Sequence, residues 1–508
     1  PEQRWKNLPT NHELYCAGHL IEAAVAYFQA TGKRKLLDAM CRYADYIDSV
    51  FGPEENKLKG YCGHEEIELA LVKLFRVTGN QRYLNLAKNF VDQRGQEPNY
   101  FLEKQSDSRE WLINLQAHKP VREQAKAEGH AVRAVYLYSA MSDIAAETGD
   151  RRLLDACNKI WDNLTSQRMY VTGGIGSSRF EERFTVDYHL PNEAAYAETC
   201  AAIGLVMFAS RMFNITGNGK FVDVLERALY NGLLSGISLQ GDKFFYANPL
   251  EVTSNFFESG HVSASRQPWF SCSCCPTNLC RFLPTLGNYL YSVSENELMI
   301  NIYAANEAEF NIGGGKIKLQ VESNYPWDGN INILFQETAS GNFTLGLRIP
   351  GWSPEFKIKI NGQLFSLNSP IDGYVKISRE WKKGDKIELK LAMPVTVLHC
   401  HPEVSCNTGK IALQRGPLVY CLESIDNRIP PGNIIIQEQQ DFKVKSIDSL
   451  ISGTIAITGN AFIENTEASA QLYCNSVPAK RTGVFTAIPY CLWQNRGPCE
   501  MAVWIRAF

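Results

Sequence analysis

Several things are missing from this chain of 508 residues. No uninterrupted apolar run reaches the roughly 18 residues that span a bilayer, so no membrane partner is expected. Basic charge is not in excess. Fifty-one Lys plus Arg stand against 54 Asp plus Glu for a net charge of -3, without the basic footprint of a phosphate-backbone binder, so nucleic acid is not an expected partner. Low-complexity and single-sign tracts are absent too, which excludes wholesale disorder. The chain starts at Pro1 with no Met and no signal-like stretch, and is read as trimmed at its N-terminus. Its length implies about two to four domains, too large for a disulfide-stapled scaffold.

Cysteine is abundant instead. There are 15, an odd number, and Cys272, Cys274, Cys275 and Cys280 crowd one short segment. Adjacent cysteines rarely bridge each other, so this pattern points to metal ligation or thiolate chemistry in a reducing compartment. Cytosol is expected ahead of periplasm.

One motif recurs through residues 1–295. An apolar helical stretch ends in Thr-Gly and a second amphipathic helix follows, as in FQATGKRKLLDAMCRYADYI, FRVTGNQRYLNLAKNFV, AAETGDRRLLDACNKIWDNL and FNITGNGKFVDVLERALYNGL. Glycine just past a helix end accepts the positive φ that stops the helix, so each motif reads as an αα-hairpin. The uneven spacing fits a closed α/α toroid, with the more apolar first helices inside. Together with TNLCRFLPTLGNYLYS the hairpins supply nine helices, whereas six hairpins need twelve. An (α/α)6 barrel lacking about three N-terminal helices is therefore expected. After residue 295 the pattern becomes short alternating strands with turn punctuation, including an Asn361-Gly362 hairpin turn. The expected architecture is multidomain α plus β. It places the barrel at 1–295, a first β-sandwich at 296–393, a second at 394–482 with strands such as KIALQRGPLVYCLE, TIAITGN and SAQLYC, and a return of 483–508 to the first sandwich.

Three histidines share one context: AGH at His19, CGH at His64 and EGH at His130, each at or just before a predicted inner helix. One such histidine is more often a helix cap or core residue, whereas three in register suggest a polar pocket. Arg122 and Arg133 flank His130. The fourth hairpin carries YAETC instead, and FSCSCCPTN follows with Cys274 and Cys275 just before Pro276. Proline favours a helix start, where the dipole favours thiolate. Glu198, Cys200, Cys274 and Cys275 would make a tetrahedral Cys3Glu set for zinc; buried free cysteines are the bland alternative.

YCAGHLIEAA, GHEEIELAL, EGHAVRAVYLYSA, YVTGGIGS, DYHLPNEAAYAETC, FFYANPLEV, WFSCSCCPTN, LRIPGW, QRGPLVYCLE and NRGPCEMAVW occur in this order along the chain. Through them the sequence resembles glycoside hydrolase family 127, the retaining β-L-arabinofuranosidases. The resemblance implies an (α/α)6 barrel followed by two β-sandwiches, and a carbohydrate substrate, namely terminal β-L-arabinofuranose on oligosaccharides or glycoproteins. It also implies Zn2+ held by Glu198, Cys200, Cys274 and Cys275, with Cys274 as nucleophile. It makes Glu182 the acid/base and His19, His64, His130 and Tyr246 the sugar-binding residues. The family usually has glycine before the acid/base glutamate, where this chain has Glu181. A homodimer is one assembly this reading allows. Two other functions compete: a same-fold hydrolase for another furanoside or an acidic pectin sugar, which calls for an added Arg or Lys beside the histidines, and a non-catalytic carbohydrate-binding protein with structural zinc.

Overall fold

The computed structural model describes residues 2–105, 108–338, 341–365, 369–464, 473, 475 and 479–508. The chain divides into two compact units, Pro1–Met169 with Ile175–His189, and Tyr170–Gly174 with Leu190–Phe508.

The first unit is helical: α1 (Glu13–Thr31), α2 (Lys35–Val50), α3 (Ile67–Thr78), α4 (Gln81–Gln93), α5 (Tyr100–Gln105), α6 (Arg109–Asn114), α7 (Ala131–Thr148) and α8 (Arg151–Asn163). The second unit opens with α9 (Thr199–Thr216) and α10 (Gly219–Arg227), and later adds α11 (Cys274–Phe282). Each Thr-Gly junction is a left-handed cap. Gly32, Gly79, Gly149 and Gly217 have φ of 70°, 69°, 70° and 69°, and each amide donates to the carbonyl four residues back. The threonines have their own part in the stop, since Thr31, Thr78, Thr148 and Thr216 turn their hydroxyls back to the i−4 carbonyl at 2.7 to 2.8 Å. Asn80, Asp150 and Asn218 then cap the second helices of their pairs.

Within the pairs, the first helix is the more deeply placed. All residues of α7 from Ala131 to Ala145 are buried, whereas α8 buries a stripe that includes Leu153, Ala156, Cys157, Ile160 and Trp161. Helix α9 is long and apolar enough to cross a membrane by length and composition, and 72% of it is buried inside the protein, as in a core helix.

The β part of the second unit holds three sheets. A six-stranded sheet (306–312, 315–323, 330–337, 386–391, 356–360, 363–364) and a four-stranded one (374–380, 342–348, 297–300, 291–293) form a sandwich-like pair. Trp381 stacks on Phe335 of the first at 4.7 Å and approaches Phe343 of the second at 6.3 Å, filling the space between them. Asn361 and Gly362 both take positive φ, as the hairpin turn requires.

The C-terminal sheet departs from expectation. Six of its ten strands close into a ring, because Lys410–Arg415 pairs with Leu418–Glu423 as well as with Ile505–Ala507. The enclosed core includes Ile411, Leu413, Tyr420, Leu422, Ile457 and Phe485. The last stretch does not return to the first sandwich: Lys480–Pro489 pairs with Thr454–Glu464 and Leu418–Glu423. The alternation in that strand marks it as sheet without naming its partner, and the buried Phe485, Ala487 and Ile488 find theirs in this core. The expected SAQLYC strand lies outside the described residues, apart from Tyr473.

Candidate active site

The residues singled out from the sequence fall into two polar clusters, one in each unit. In the first unit, each histidine follows a glycine that the backbone cannot replace. A Cβ on Gly18 would stand 2.8 Å from Ile67 N, one on Gly63 2.0 Å from Pro9 O, and one on Gly129 2.0 Å from Ile113 O. These close approaches seat His19, His64 and His130. Tyr15 lies 4.4 Å from the rings of both His19 and His64, and His64 lies 5.6 Å from His130, so the three predicted residues share one cluster. His19 is not at a helix start. Helix α1 begins at Glu13, which puts His19 on its second turn, with Nδ1 3.3 Å from the buried carboxylate of Glu66.

His130 is the N-cap of α7. Its Nδ1 accepts the Val132 amide at 3.2 Å, which places the proton of the neutral ring on Nε2. That Nε2 faces Glu182 Oε2 at 2.8 Å. Burial holds His130 below its ordinary pKa against the pull of Glu182, and burial followed by the charge of Arg133 holds His64 well below. Glu182 sits in a tight turn, Phe180–Glu182, where Glu181 and Glu182 have φ of 56° and 52°. Side chains rarely adopt this left-handed conformation, and such strain clusters at functional sites. The adjacent acid points elsewhere: Glu181 pairs with Arg183 at 2.8 Å.

The second cluster joins two helix starts. Glu198 is the N-cap of α9 and Cys200 lies in its first turn, whereas Cys274 and Cys275 are the first two residues of α11, with Pro276 third. Cys200 Sγ stands 3.4 Å from Cys275 Sγ, and Cys274 Sγ stands 3.9 Å from Cys275 Sγ. Glu198 Oε1 lies 3.6 Å from Cys274 Sγ and 3.5 Å from Cys275 Sγ. All described cysteines are free thiols, so the crowding is not disulfide bonding. Burial opposes ionisation of Cys200, but hydrogen bonds from Cys274 and Cys275 outweigh it and bring its thiol down to about 7. The four side chains are a set that could hold a metal ion. Tyr246, singled out from the sequence, reaches Cys274 Sγ with its hydroxyl at 3.0 Å.

Sequence reasoning missed several neighbours. His261 stacks on Tyr246 at 4.1 Å, and no local pattern announces it. Glu65 and Glu66 had a visible signal, since two acids open the apolar stretch HEEIELALVKLF. Both are fully buried beneath the histidines.

The chain matches three domain models of one family: the β-L-arabinofuranosidase GH127 catalytic domain over residues 1–288, the GH127 middle domain over 297–393, and the glycoside hydrolase family 127 C-terminal domain over 395–506. It is 37% identical to a non-reducing end β-L-arabinofuranosidase of Bifidobacterium longum subsp. longum, across 99% of this chain and 80% of that protein. Among solved structures, a GH127 β-L-arabinofuranosidase from Geobacillus stearothermophilus T6 is 48% identical with a TM-score of 0.97, covering 100% of this chain and 82% of that one. A GH127 β-arabinofuranosidase at 40% identity has a TM-score of 0.90 and covers 99% and 78%. With all three domains matched in order, the chain belongs to glycoside hydrolase family 127 and is a glycoside hydrolase.

Proposed function

We propose that this enzyme releases terminal β-L-arabinofuranose with retention of configuration, using Cys274 as nucleophile and Glu182 as acid/base, in a catalytic domain of the (α/α)6 type. The observation that carries the reading is the spacing of the four donors. A tetrahedral zinc with bonds of about 2.3 Å to sulfur and 2.0 to 2.2 Å to oxygen needs sulfur–sulfur edges near ~3.8 Å and sulfur–oxygen edges near ~3.5 Å. The separations of 3.4 and 3.9 Å between sulfurs, and 3.5 and 3.6 Å from sulfur to oxygen, lie within about 0.4 Å of those edges, so small shifts would seat the ion. Zinc bound by Glu198, Cys200, Cys274 and Cys275 would keep the thiols ionised at neutral pH.

The chain's own groups then supply the rest. Cys274 Sγ attacks the anomeric carbon and forms a C–S bond as the glycosidic C–O bond breaks, and Glu182 delivers its proton to the departing oxygen. Glu182 Oε2 accepts from His130 Nε2, so the proton in transit belongs on Oε1. In the second half Glu182 takes a proton from water, the water oxygen bonds to the anomeric carbon, and the C–S bond releases the thiolate. Two inversions give net retention. Tyr246, within reach of Sγ, steadies the thiolate through its hydroxyl hydrogen. His19, His64 and His130 hold the sugar hydroxyls.

The test is covalent capture. A furanosyl haloacetamide or cyclophellitol-type probe, followed by peptide mass spectrometry, should place the sugar on Cys274. An adduct on Glu182 or Glu198 would mean a carboxylate nucleophile beside a structural metal.

A further inference from the structure

Two arginines are buried in the first unit near the histidine cluster, and they are treated differently. Arg94 is fully buried and compensated: Nη1 meets Glu65 Oε1 at 2.9 Å and Leu115 O at 2.8 Å, and Nη2 meets Glu68 Oε1 at 3.2 Å and Cys62 O at 2.8 Å. Arg133 is only 8% exposed, yet no hydrogen bond reaches its Nε or Nη1. The other arginine flanking His130, Arg122, is anchored by Asp92 and Asp150 at 2.7 Å each and has a structural assignment. Burial holds Arg133 below its ordinary pKa while the charges of Glu65 and then Glu182 pull against it, so the charge is balanced in part. The two unbonded donors remain costly and ask for oxygen acceptors.

The position of Arg133 says which ligand. It lies one turn into α7, on the same face as the N-cap His130, and helical side chains lean toward the N-terminus. Its head therefore leans toward the histidine cluster, and its charge is among those felt by His64, His130 and Glu65. Glu65, whose charge acts on Arg133, meets Arg94 through Oε1 and accepts no hydrogen bond from Nε or Nη1 of Arg133. Nε and Nη1 lie on different edges of the planar guanidinium, so one carboxylate cannot satisfy both. Two separate oxygens are called for, as neighbouring sugar hydroxyls supply.

We propose that Arg133 is a sugar-binding residue that donates from Nε and Nη1 to two oxygens of the terminal sugar. This rests on the reading of the histidine cluster as the sugar pocket. The arginine then does two things at once: it supplies directed donors where the histidines supply ring nitrogens, and it keeps those rings neutral.

The experiment compares wild type with Arg133→Met and Arg133→Lys on 4-nitrophenyl β-L-arabinofuranoside and its 2-deoxy and 3-deoxy analogues, alongside melting temperature. Arg133→Met should lower kcat/KM on the parent sugar at least about 30-fold while still melting in one cooperative transition. The wild-type preference for the parent over at least one deoxy analogue should shrink about tenfold in the variant, a readout that a purely structural role would not move. Arg133→Lys, with a point charge in place of the planar fork, should restore little. An unchanged deoxy ratio, or kcat/KM within threefold of wild type, overturns the inference. Wild-type turnover separates this from the substrate reading. If wild type cleaves an acidic furanoside and not the arabinofuranoside, the proposed substrate is wrong, and Arg133 keeps its assignment only if Arg133→Met loses that activity.

Discussion

The thiol cluster and the histidine cluster use similar polar side chains at different spacings. Donor atoms in the first stand 3.4 to 3.9 Å apart, whereas neighbouring ring centres in the second, among Tyr15, His19, His64 and His130, stand 4.4 to 5.6 Å apart, edge-on or tilted. The first cluster gathers thiols and a carboxylate at one point, and in the second the ring nitrogens meet carboxylates, His19 Nδ1 at Glu66 and His130 Nε2 at Glu182. Both rest on helix geometry: two helix N-termini converge on the thiols, and glycine contacts bring the histidine-bearing segments together. On the proposed reading, the soft thiol donors suit a metal ion and the ring nitrogens suit sugar hydroxyls.

Removing one member of each cluster tests this most directly. Cys200→Ala should lose most of the roughly one zinc per chain expected for a closed four-ligand site, and activity should fall at least about 1000-fold. His64→Ala should keep its metal and lose sugar affinity. Equal zinc content in wild type and Cys200→Ala, by elemental analysis, would erase the distinction between the clusters.

The next effect belongs to Glu182. With Gln in its place, a natural disaccharide should react about 100 to 10000 times more slowly, whereas a nitrophenyl glycoside, whose leaving group needs little protonation, should still load the enzyme. Glu181→Gln should stay near wild type on both, since that carboxylate faces Arg183. The reverse pattern would hand the acid role to Glu181.

Acid should weaken the histidine side specifically. His64 and His130 have folded pKa values depressed below the unfolded value near about 6.5, so below that pH the unfolded chain takes up protons the native state refuses. Each contributes a loss of stability of up to about 1.4 kcal/mol per pH unit as pH falls through this range. Melting curves between pH 7 and 5 should drop less steeply for His64→Asn than for wild type; parallel curves would place His64 outside this linkage.

The smallest expected effect is a gain. Glu181 occupies a φ of 56°, which glycine adopts without strain. Glu181→Gly should stabilise the protein by about 1 kcal/mol, less the small contribution of the Arg183 pair. A lower melting temperature would show that the pair outweighs the strain.

Legibility in the sequence followed how local the signal is. The four Thr-Gly stops and the Asn361-Gly362 turn are written in adjacent residues, and the structure has them where the spacing places them. The thiol set was legible because Cys274 and Cys275 are neighbours and Glu198 and Cys200 lie two apart, so only one long-range meeting had to be supposed. Strand partners were not legible: alternation gives a strand its faces and leaves its neighbours open, which is why 483–508 was assigned to the wrong sheet. Compensation of buried charge was equally hidden. Arg94 and Arg133 look alike in sequence, and only the positions of Glu65 and Glu68 tell them apart.

Two groups of glycines in this chain exclude an L-side chain for different reasons. A Cβ on Gly18, Gly63 or Gly129 would meet backbone closer than contact distance. Gly32, Gly79, Gly149 and Gly217 have open space within 4 Å, and only the sign of φ keeps an L-residue out. Those four stops are thus vacancies for mirror-image residues. D-alanine introduced by ligation at any of them would match the left-handed cap and narrow the unfolded ensemble, a stabilisation of about 0.4 to 1 kcal/mol per site that no L-residue can supply.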